Sequence, residues 1–547
     1  MDSRAKELIK QGDTLFSKRT ALVALWQAIA ENFMPSRADF MASVTDIALA
    51  EHLFTSYPVL AARELGNIFA AMLRPRNARW YSHHVSDKRL DEGSAERAYL
   101  EYRTEIMWRA MYDPDAGFVR ATKEADSDYV TFGQAVIQPE LDLANATLLY
   151  RCHHIRDAAW SENYAGKIDT VHRKWKPTAR QLAALFPKTV SSEVRKALTD
   201  DPDREFECRH VVVPERIYRP DMTNGRRPMA FTSLYVECES ETVLEETPRK
   251  RFGYVIPRWQ TISGSQYARS PATEPALPDA RTMQVVIRTL REAAEKHVDP
   301  PMIAVGEMLR SDIFLQAGGT TYVEADYDER TGEILRPVER NPGTMPIGTE
   351  IALALREDIR NGMFLDKINL PQADLSKMPV YTVRRFLEEQ IRAQAPLFEP
   401  IEQEYSAPLC DETDALLAEA GAFGPPESIP ESLRGMDAHF TFQSPLRDIA
   451  DAQKTQQFMD GAGILQTAMA FDPAQIANVK MTTATRDALR GLGWGQEWFD
   501  DETKVEAAQK ALQEAANMER GAATLEQGAN IVKTGGEGAK AMVEAGM

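Results

Sequence analysis

The stretch that most constrains the fold is "NGMFLDKINLPQADLSKMPVYTVRRFLEEQ", residues 361–390. It reads as the end of one helix, a loop, and the start of another helix. The loop mixes Leu365, Ile368, Leu370, Leu375 and Met378 with Lys367, Asp374 and Lys377, and it carries Pro371 and Pro379. A loop of this length inside a compact domain is functional or disordered. This one is too apolar for a plain solvated linker, so the fold must give it a place.

The flanking elements are legible from periodicity. Upstream, residues 347–364 carry Ile347, Ile351, Leu355, Ile359 and Met363 at a spacing of four, the pattern of a helix. Before it, residues 281–297 form an amphipathic helix with Met283, Val286, Ile287, Leu290 and Ala294 on one face. Between these two, residues 320–338 make a hairpin candidate around "DERTGE". Downstream, Leu387, Ile391, Ala395, Phe398, Ile401, Tyr405 and Leu409 recur every three or four positions, interrupted by Pro396, Pro400 and Pro408. A proline inside a helix removes a hydrogen bond and clashes with the carbonyl four residues back, so this long helix is expected to kink or break.

The N-terminal half reads differently. Residues 3–34, 57–73, 96–112 and 118–133 are helical by spacing. "QAVIQPEL", "TLLYRCHHIRDAAW" and most of 205–262 are β-branched and aromatic, which predicts an antiparallel sheet. The first 260 residues or so are therefore an α+β domain, helices first and sheet after. The proline-rich segment 269–280 reads as a linker or turn, and "GAFGPPESIPESL" (421–433) as a connector. A helix is expected at 446–471, then an alanine-rich helical end.

A chain of 547 residues is too long for one core. It has no run of eighteen apolar residues to cross a bilayer as a helix, and its N-terminus shows no secretory signal. Cys152, Cys208, Cys238 and Cys410 make no disulfide framework, so a reducing cytoplasm is the expected site of folding. The net charge of −18, with no basic block, disfavours a tight nucleic-acid clamp. The same sign suits a wall that DNA must pass without sticking to it.

Signatures of chemistry are missing. There is no G-x-x-x-x-G-K-[ST], H-E-x-x-H or G-x-S-x-G. Cys152, His153, His154, Cys208 and His210 lie on predicted strands but lack paired zinc spacing; buried thiols and hydrogen-bonded histidines are the plainer reading. The acids of "EADSD" (124–128) and "WFDDE" (498–502) could hold a metal as in a nuclease, but solvated carboxylates are the simpler account. Trp80, Trp108, Trp160 and Trp259 could stack on bases or fill a core.

The order of parts says more than any motif. Helix, hairpin, helix, apolar loop, kinked long helix and helical C-terminal region resemble the portal proteins of tailed bacteriophages. They resemble more closely the head-to-tail connectors of short-tailed phages, the podovirus type. The segments that carry the resemblance are "LWQAIAENFMPSR" (25–37), "RELGNIFAAMLRPRNARWYSHHV" (63–85), "DYVTFGQAVIQPE" (128–140), "YVIPRWQTISGSQYARSPATEPALPDARTMQVV" (254–286), "FLEEQIRAQAPLFEPIEQEYSAPL" (386–409) and "FQSPLRDIADAQK" (442–454).

That resemblance implies a mainly helical α+β fold that assembles into a ring, normally about twelve subunits, around a channel. It implies a wing at 1–280, a stem helix at 281–299, a clip at 300–346 and a second stem helix at 347–364. A tunnel loop follows at 365–380, a kinked long helix and connector at 381–433, a wing return at 434–475 and a crown at 476–547. Lys367, Asn369, Gln372 and Lys377 would line the DNA channel. No catalytic residue, metal or cofactor is implied. The implied partners are other copies of the chain, the terminase large subunit, a tail adaptor, major capsid and scaffolding proteins, internal core proteins, and duplex DNA in transit; no membrane is involved. A metal-dependent nuclease and a helical protein-binding scaffold are the competing readings.

Overall fold

The computed structural model describes residues 3–41, 53–75, 79–87, 94–142, 145–218, 229–298, 302–304, 335–337, 345–365, 401–436, 438–442, 458–459, 461–467 and 481–491, with scattered single or paired positions from 470 on. Along the chain, α1 (Ser3–Lys18) and α2 (Thr20–Phe33) stand where one helix over 3–34 was expected. The break is Arg19, which leaves helical geometry and sends its guanidinium to the carbonyls of Ile155 (2.6 Å), Ala158 (2.6 Å) and Arg156. Then come α3 (Tyr57–Leu73), β1 (Tyr81–Val85), α4 (Ser94–Met111) and α5 (Phe118–Phe132). Next are β2 (Val136–Asp142), β3 (Thr147–His153), β4 (Ala158–Glu162) and β5 (Ile168–Trp175).

Two short helices, α6 (Ala179–Leu185) and α7 (Ser192–Asp200), follow, each started by a side-chain cap, Thr178 and Ser191. β6 (Cys208–Pro214), β7 (Phe231–Glu237) and β8 (Thr242–Arg249) complete the sheet strands. The segment expected to be a linker at 269–280 is instead the start of a long helix, α8 (Thr273–Val298). Pro275 falls in its first turn, where an N–H would have no helical partner anyway. Pro278 is tolerated farther in because Thr273, Ala276, Leu277 and Ala280 are buried around it and hold the turn by packing.

The chain divides into two compact units, Met1–Trp80 with Met107–Ala422, and Tyr81–Ile106 with Phe423–Met547. In the first, β4-β5-β6-β7-β8 form a five-stranded antiparallel sheet, and β2 and β3 pair separately. Every residue of β6 is buried, so both sheet faces are covered. Residues alternate across a strand. Val211 and Val213, with Leu234 and Val236, therefore lie under Ala5 and Leu8 of α1, while Cys208 joins Leu182, Phe186 and Val194 of the α6–α7 layer.

The remaining elements of this unit are β9 (Met302–Ala304), β10 (Leu335–Pro337), α9 (Met345–Gly362) and α10 (Ala407–Glu419). β9 and β10 pair antiparallel, so residues 335–337 of the hairpin expected over 320–338 find their partner at 302–304, upstream of that hairpin; the turn "DERTGE" lies outside the described residues. α9 packs along α8 so closely that a Cβ on Gly348 would lie 2.6 Å from Leu290 Cδ2. The base of α8 is tied to the core by Gln284, which accepts from the N–H of Phe54 (2.8 Å) and Thr55 (3.0 Å) and donates to Thr55 O (3.0 Å).

In the second unit, β1 pairs antiparallel with β11 (Ala438–Phe442), from Tyr81↔Phe442 to Val85↔Ala438. Val85, Leu100 and Leu433 make its small core with Tyr99 and Ile429. It also holds α11 (Met481–Gly491). The helix expected at 446–471 is described only in part, at 458–459, 461–467 and 470–471. Among the described residues no helix is long and apolar enough to cross a membrane.

Candidate functional site

Lys367, Asn369, Gln372 and Lys377, the residues expected to face DNA, lie outside the described residues. What the structure gives is the two places where the chain enters and leaves that segment, and both are in one core. On the entering side α9 ends at Gly362, and the Met363 N–H still bonds Ile359 O (2.9 Å). Phe364 then takes a left-handed backbone (φ 56°), unusual for a bulky residue, and its ring lies 6.4 Å from that of Trp259. Met363 and Leu365 are buried on either side.

On the leaving side the first described residue, Ile401, is helical, and Ile401 and Tyr405 are fully buried. Trp259 stacks on Tyr129 (5.5 Å, 15°), Tyr129 contacts Tyr405 (5.5 Å), and Phe69 meets Trp259 edge-on (5.0 Å). Five aromatic rings from five separated stretches thus hold both ends of residues 366–400. Such pairs are each worth about 0.5–1.5 kcal/mol beyond burial.

Buried ions reinforce this floor. Asp126 on α5 pairs with Arg74, just past α3, and accepts a hydrogen bond from the Tyr405 hydroxyl at 2.8 Å. Arg74 also lies over the Tyr405 ring, 4.9 Å from its centre. Burial opposes the Arg74 charge, yet Asp126 outweighs it and raises the guanidinium above its ordinary pKa. Burial likewise raises the Tyr405 phenol, with Asp126 adding to the effect, so the hydroxyl stays a donor. Two residues on, Asp128 pairs with Arg37 at 3.1 Å and receives the Cys152 thiol at 3.8 Å. Burial pushes the Asp128 carboxyl up to about 6 while Arg37 pulls it down.

A second tie is Arg258, buried, which bonds Glu404 (3.2 and 3.3 Å), Gly166 O (3.1 Å) and Glu162. A third joins Thr413 Oγ1 and the Tyr150 hydroxyl at 2.8 Å. Between Ile401 and α10, residues Glu402–Ser406 form a π turn in which the Ala407 N–H reaches back five residues to Glu402 O. Pro408, with no N–H to donate, stands where the ladder returns to four-residue steps. Of the three prolines expected to kink or break this helix, Pro408 follows the π turn directly and the helix runs on to Glu419, while Pro396 and Pro400 lie outside the described residues.

The other candidates resolve into core. His210 stacks on Tyr235 (4.3 Å) and bonds the Tyr254 hydroxyl (2.5 Å) and Ser233 (2.8 Å). His153 Nε2 donates to Gln138 Oε1 (2.8 Å). Cys208 belongs to the α6–α7 cluster, and Cys152 points at Asp128. Among the described residues no group of three or more His, Cys, Asp and Glu side chains is set to hold a metal. Two of the "EADSD" acids, Asp126 and Asp128, are buried ion-pair partners rather than solvated carboxylates. Trp80, Trp160 and Trp259 are buried. Sequence reasoning missed Arg74, Arg258 and Glu404. Asp126 had one usable signal: it shares a helical face with Thr122 and Tyr129, which are buried.

The chain matches the family described as bacteriophage head to tail connecting protein over residues 5–499. It is 25% identical over 459 residues to a probable portal protein of Bordetella phage BPP-1, covering 82% of this chain and 80% of that one. It is 25% identical over 296 residues to the portal protein of Salmonella phage epsilon15, covering 53% of this chain and 51% of the other. A chain from the neck of an empty gene transfer agent (GTA) particle, computed with C6 symmetry, aligns over 76% of this chain and 88% of its own length at 10% identity. Its TM-score of 0.33 is too low to bear on the assignment. The chain belongs to the bacteriophage head to tail connecting protein family, and is a portal protein at the junction of head and tail in the virion rather than an enzyme.

Proposed function

We propose that copies of this chain, of the podovirus type, close into a ring of about twelve around a channel through which duplex DNA is packaged and ejected. The observation that carries this is the α8–α9 pair. The two helices cover each other, yet Val285 (64% exposed), Ile347 (57%), Ile351 (46%) and Leu353 (56%) face outward, largely uncovered by the described residues. Apolar side chains on two flanks of a two-helix layer suit neighbours on both sides, as a heterologous ring supplies.

In this reading residues 1–280 and 434–475 are the wing, 281–299 and 347–364 the stem, 300–346 the clip, and 476–547 the crown. The clip serves the terminase large subunit and then the tail adaptor, and the scaffolding and major capsid proteins surround the ring. Residues 365–380 are the tunnel loop, where Lys367 and Lys377 meet phosphates transiently, with Asn369 and Gln372 beside them. The net charge of −18 per copy keeps the duplex off the wall elsewhere, and screening limits each lysine contact to about 8–10 Å.

Replacing Lys367 and Lys377 together by Ala tests the channel reading. Rings should form in normal yield while DNA packaging or retention changes; rings that fail to form would place the two lysines at a subunit interface instead.

A further inference from the structure

A helix advances so that a step of four residues overshoots a full circle by about 40°. Residues spaced by four therefore drift off any one face within a few turns. Ile401, Tyr405, Leu409, Thr413 and Leu417 are spaced by four and all are buried. The π turn at Glu402–Ser406 takes up part of this drift, because a turn closed by five-residue bonds holds more residues and lets a step of four fall short of the circle. Beyond it Cys410 and Asp414 are buried beside the stripe, so the inner face is broad enough to take the rest. The turn also aims Glu404 at Arg258 and Tyr405 at Asp126, two anchors on different parts of the α+β unit.

We propose that Tyr405 and Glu404, through the buried Asp126–Arg74 pair and Arg258, are positioning residues that set the rotational phase in which the chain leaves segment 366–400. They act on the channel without touching DNA. The entering end is fixed on the same rings through Phe364 and Trp259, so the two ends of the segment share one floor. The inference rests on the reading of 365–380 as the tunnel loop.

The test compares full-length rings of wild type, Tyr405→Phe, Glu404→Gln, Glu404→Ala and the Lys367→Ala/Lys377→Ala double variant. Hydrogen exchange is followed by mass spectrometry, and DNA content is measured per ring-containing particle. Tyr405→Phe keeps the ring contact with Tyr129 and loses only the bond to Asp126. It should form rings, exchange roughly tenfold faster over 401–409 with the sheet at 158–249 unchanged, and alter DNA content per particle. Glu404→Ala should do the same, and Glu404→Gln, which keeps an oxygen for Arg258, should recover most of the loss; these two serve if Tyr405→Phe does not assemble.

Faster exchange with unaltered DNA content would reduce the clamp to a stability device and overturn the proposal. If the lysine variant alone changes DNA content, the channel reading stands and the proposal falls. If neither kind of variant changes it, the channel reading itself fails.

Discussion

Two stripes of this molecule share one spacing and meet different fates. In α9, Ile347, Ile351, Leu355, Ile359 and Met363 are spaced by four; the last two are fully buried, whereas Ile347 and Ile351 are half exposed. At the height of Ile351 it is Ala352 that turns inward, 6% exposed, as the drift of an unbroken α-helix requires. In the stripe 401–417 nothing drifts out, because a π turn takes up part of the drift and the buried face beyond it, with Cys410 and Asp414, is broad. The comparison teaches where each region finds its partners. The 401–417 helix satisfies its stripe, Glu404 and Tyr405 inside the chain. α9 leaves Ile347, Ile351 and Leu353 largely uncovered by the described residues.

The contrast predicts which substitutions break folding and which break assembly. The largest effect should come from Asp126→Ala, which strands Arg74 as an unpaired buried charge. Losses of this kind run to about 3–5 kcal/mol, so the thermal midpoint of the variant should collapse or the chain should fail to fold. A midpoint close to wild type would mean the ion pair is not the floor of the site.

Next is Gly133→Ala. Gly133 ends α5 at φ 76°, and a Cβ there would strike the backbone of Arg269 and Ser270. Left-handed geometry plus an immovable clash should lower stability by about 2 kcal/mol or more, read as a lower denaturant midpoint with an unchanged slope.

Acid should act on the core with a sign set by buried histidines. Burial, before any neighbouring charge, holds His153 and His172 at about 3 and His154 at about 4, and among the described residues neither His172 ring nitrogen has a hydrogen-bond partner. Their folded pKa values lie below the unfolded value near 6.5. Stability is therefore complete above that pH and is lost as pH falls toward 4, since the unfolded chain binds more protons. Asp128, held up at about 6, and Glu412, at about 7, work the other way over part of the range, because the folded state protonates them first. The histidines outnumber them, so Tm should drop by roughly 5 °C or more from pH 7 to pH 5. A Tm that rises over that interval would contradict this balance.

The smallest effect on the isolated chain should come from Ile351→Ser with Leu353→Ser, within about 0.5 kcal/mol. The same pair should shift assembly to higher protein concentration, as seen by sedimentation. A large stability loss with intact assembly would mean the α8–α9 faces are covered from within.

How much of this could be read from the residues follows from the range of each interaction. α3, α5, β2 and the strands after 205 rest on local spacing and were readable. The break at Arg19 was not, because the carbonyls that capture it belong to residues near 155. The helical fate of Pro275 and Pro278 depends on burial that no local pattern displays. The pairing of 81–85 with 438–442 joins segments at opposite ends of the chain. The site divides in the same way. Lys367 and Lys377 attract notice as charges in an apolar loop, while Arg74, Asp126, Arg258 and Glu404 look like surface residues until their partners arrive from elsewhere.

The central claim is that neighbouring copies cover the outward residues of α8 and α9 around an axial opening. Cryo-electron microscopy of the purified full-length protein tests it most directly. The account predicts a closed ring with Val285, Ile347, Ile351 and Leu353 buried between subunits and Lys367 and Lys377 facing the bore. A protein that stays monomeric at high concentration, or a ring with those apolar residues in solvent and the lysines on its outer rim, would contradict it.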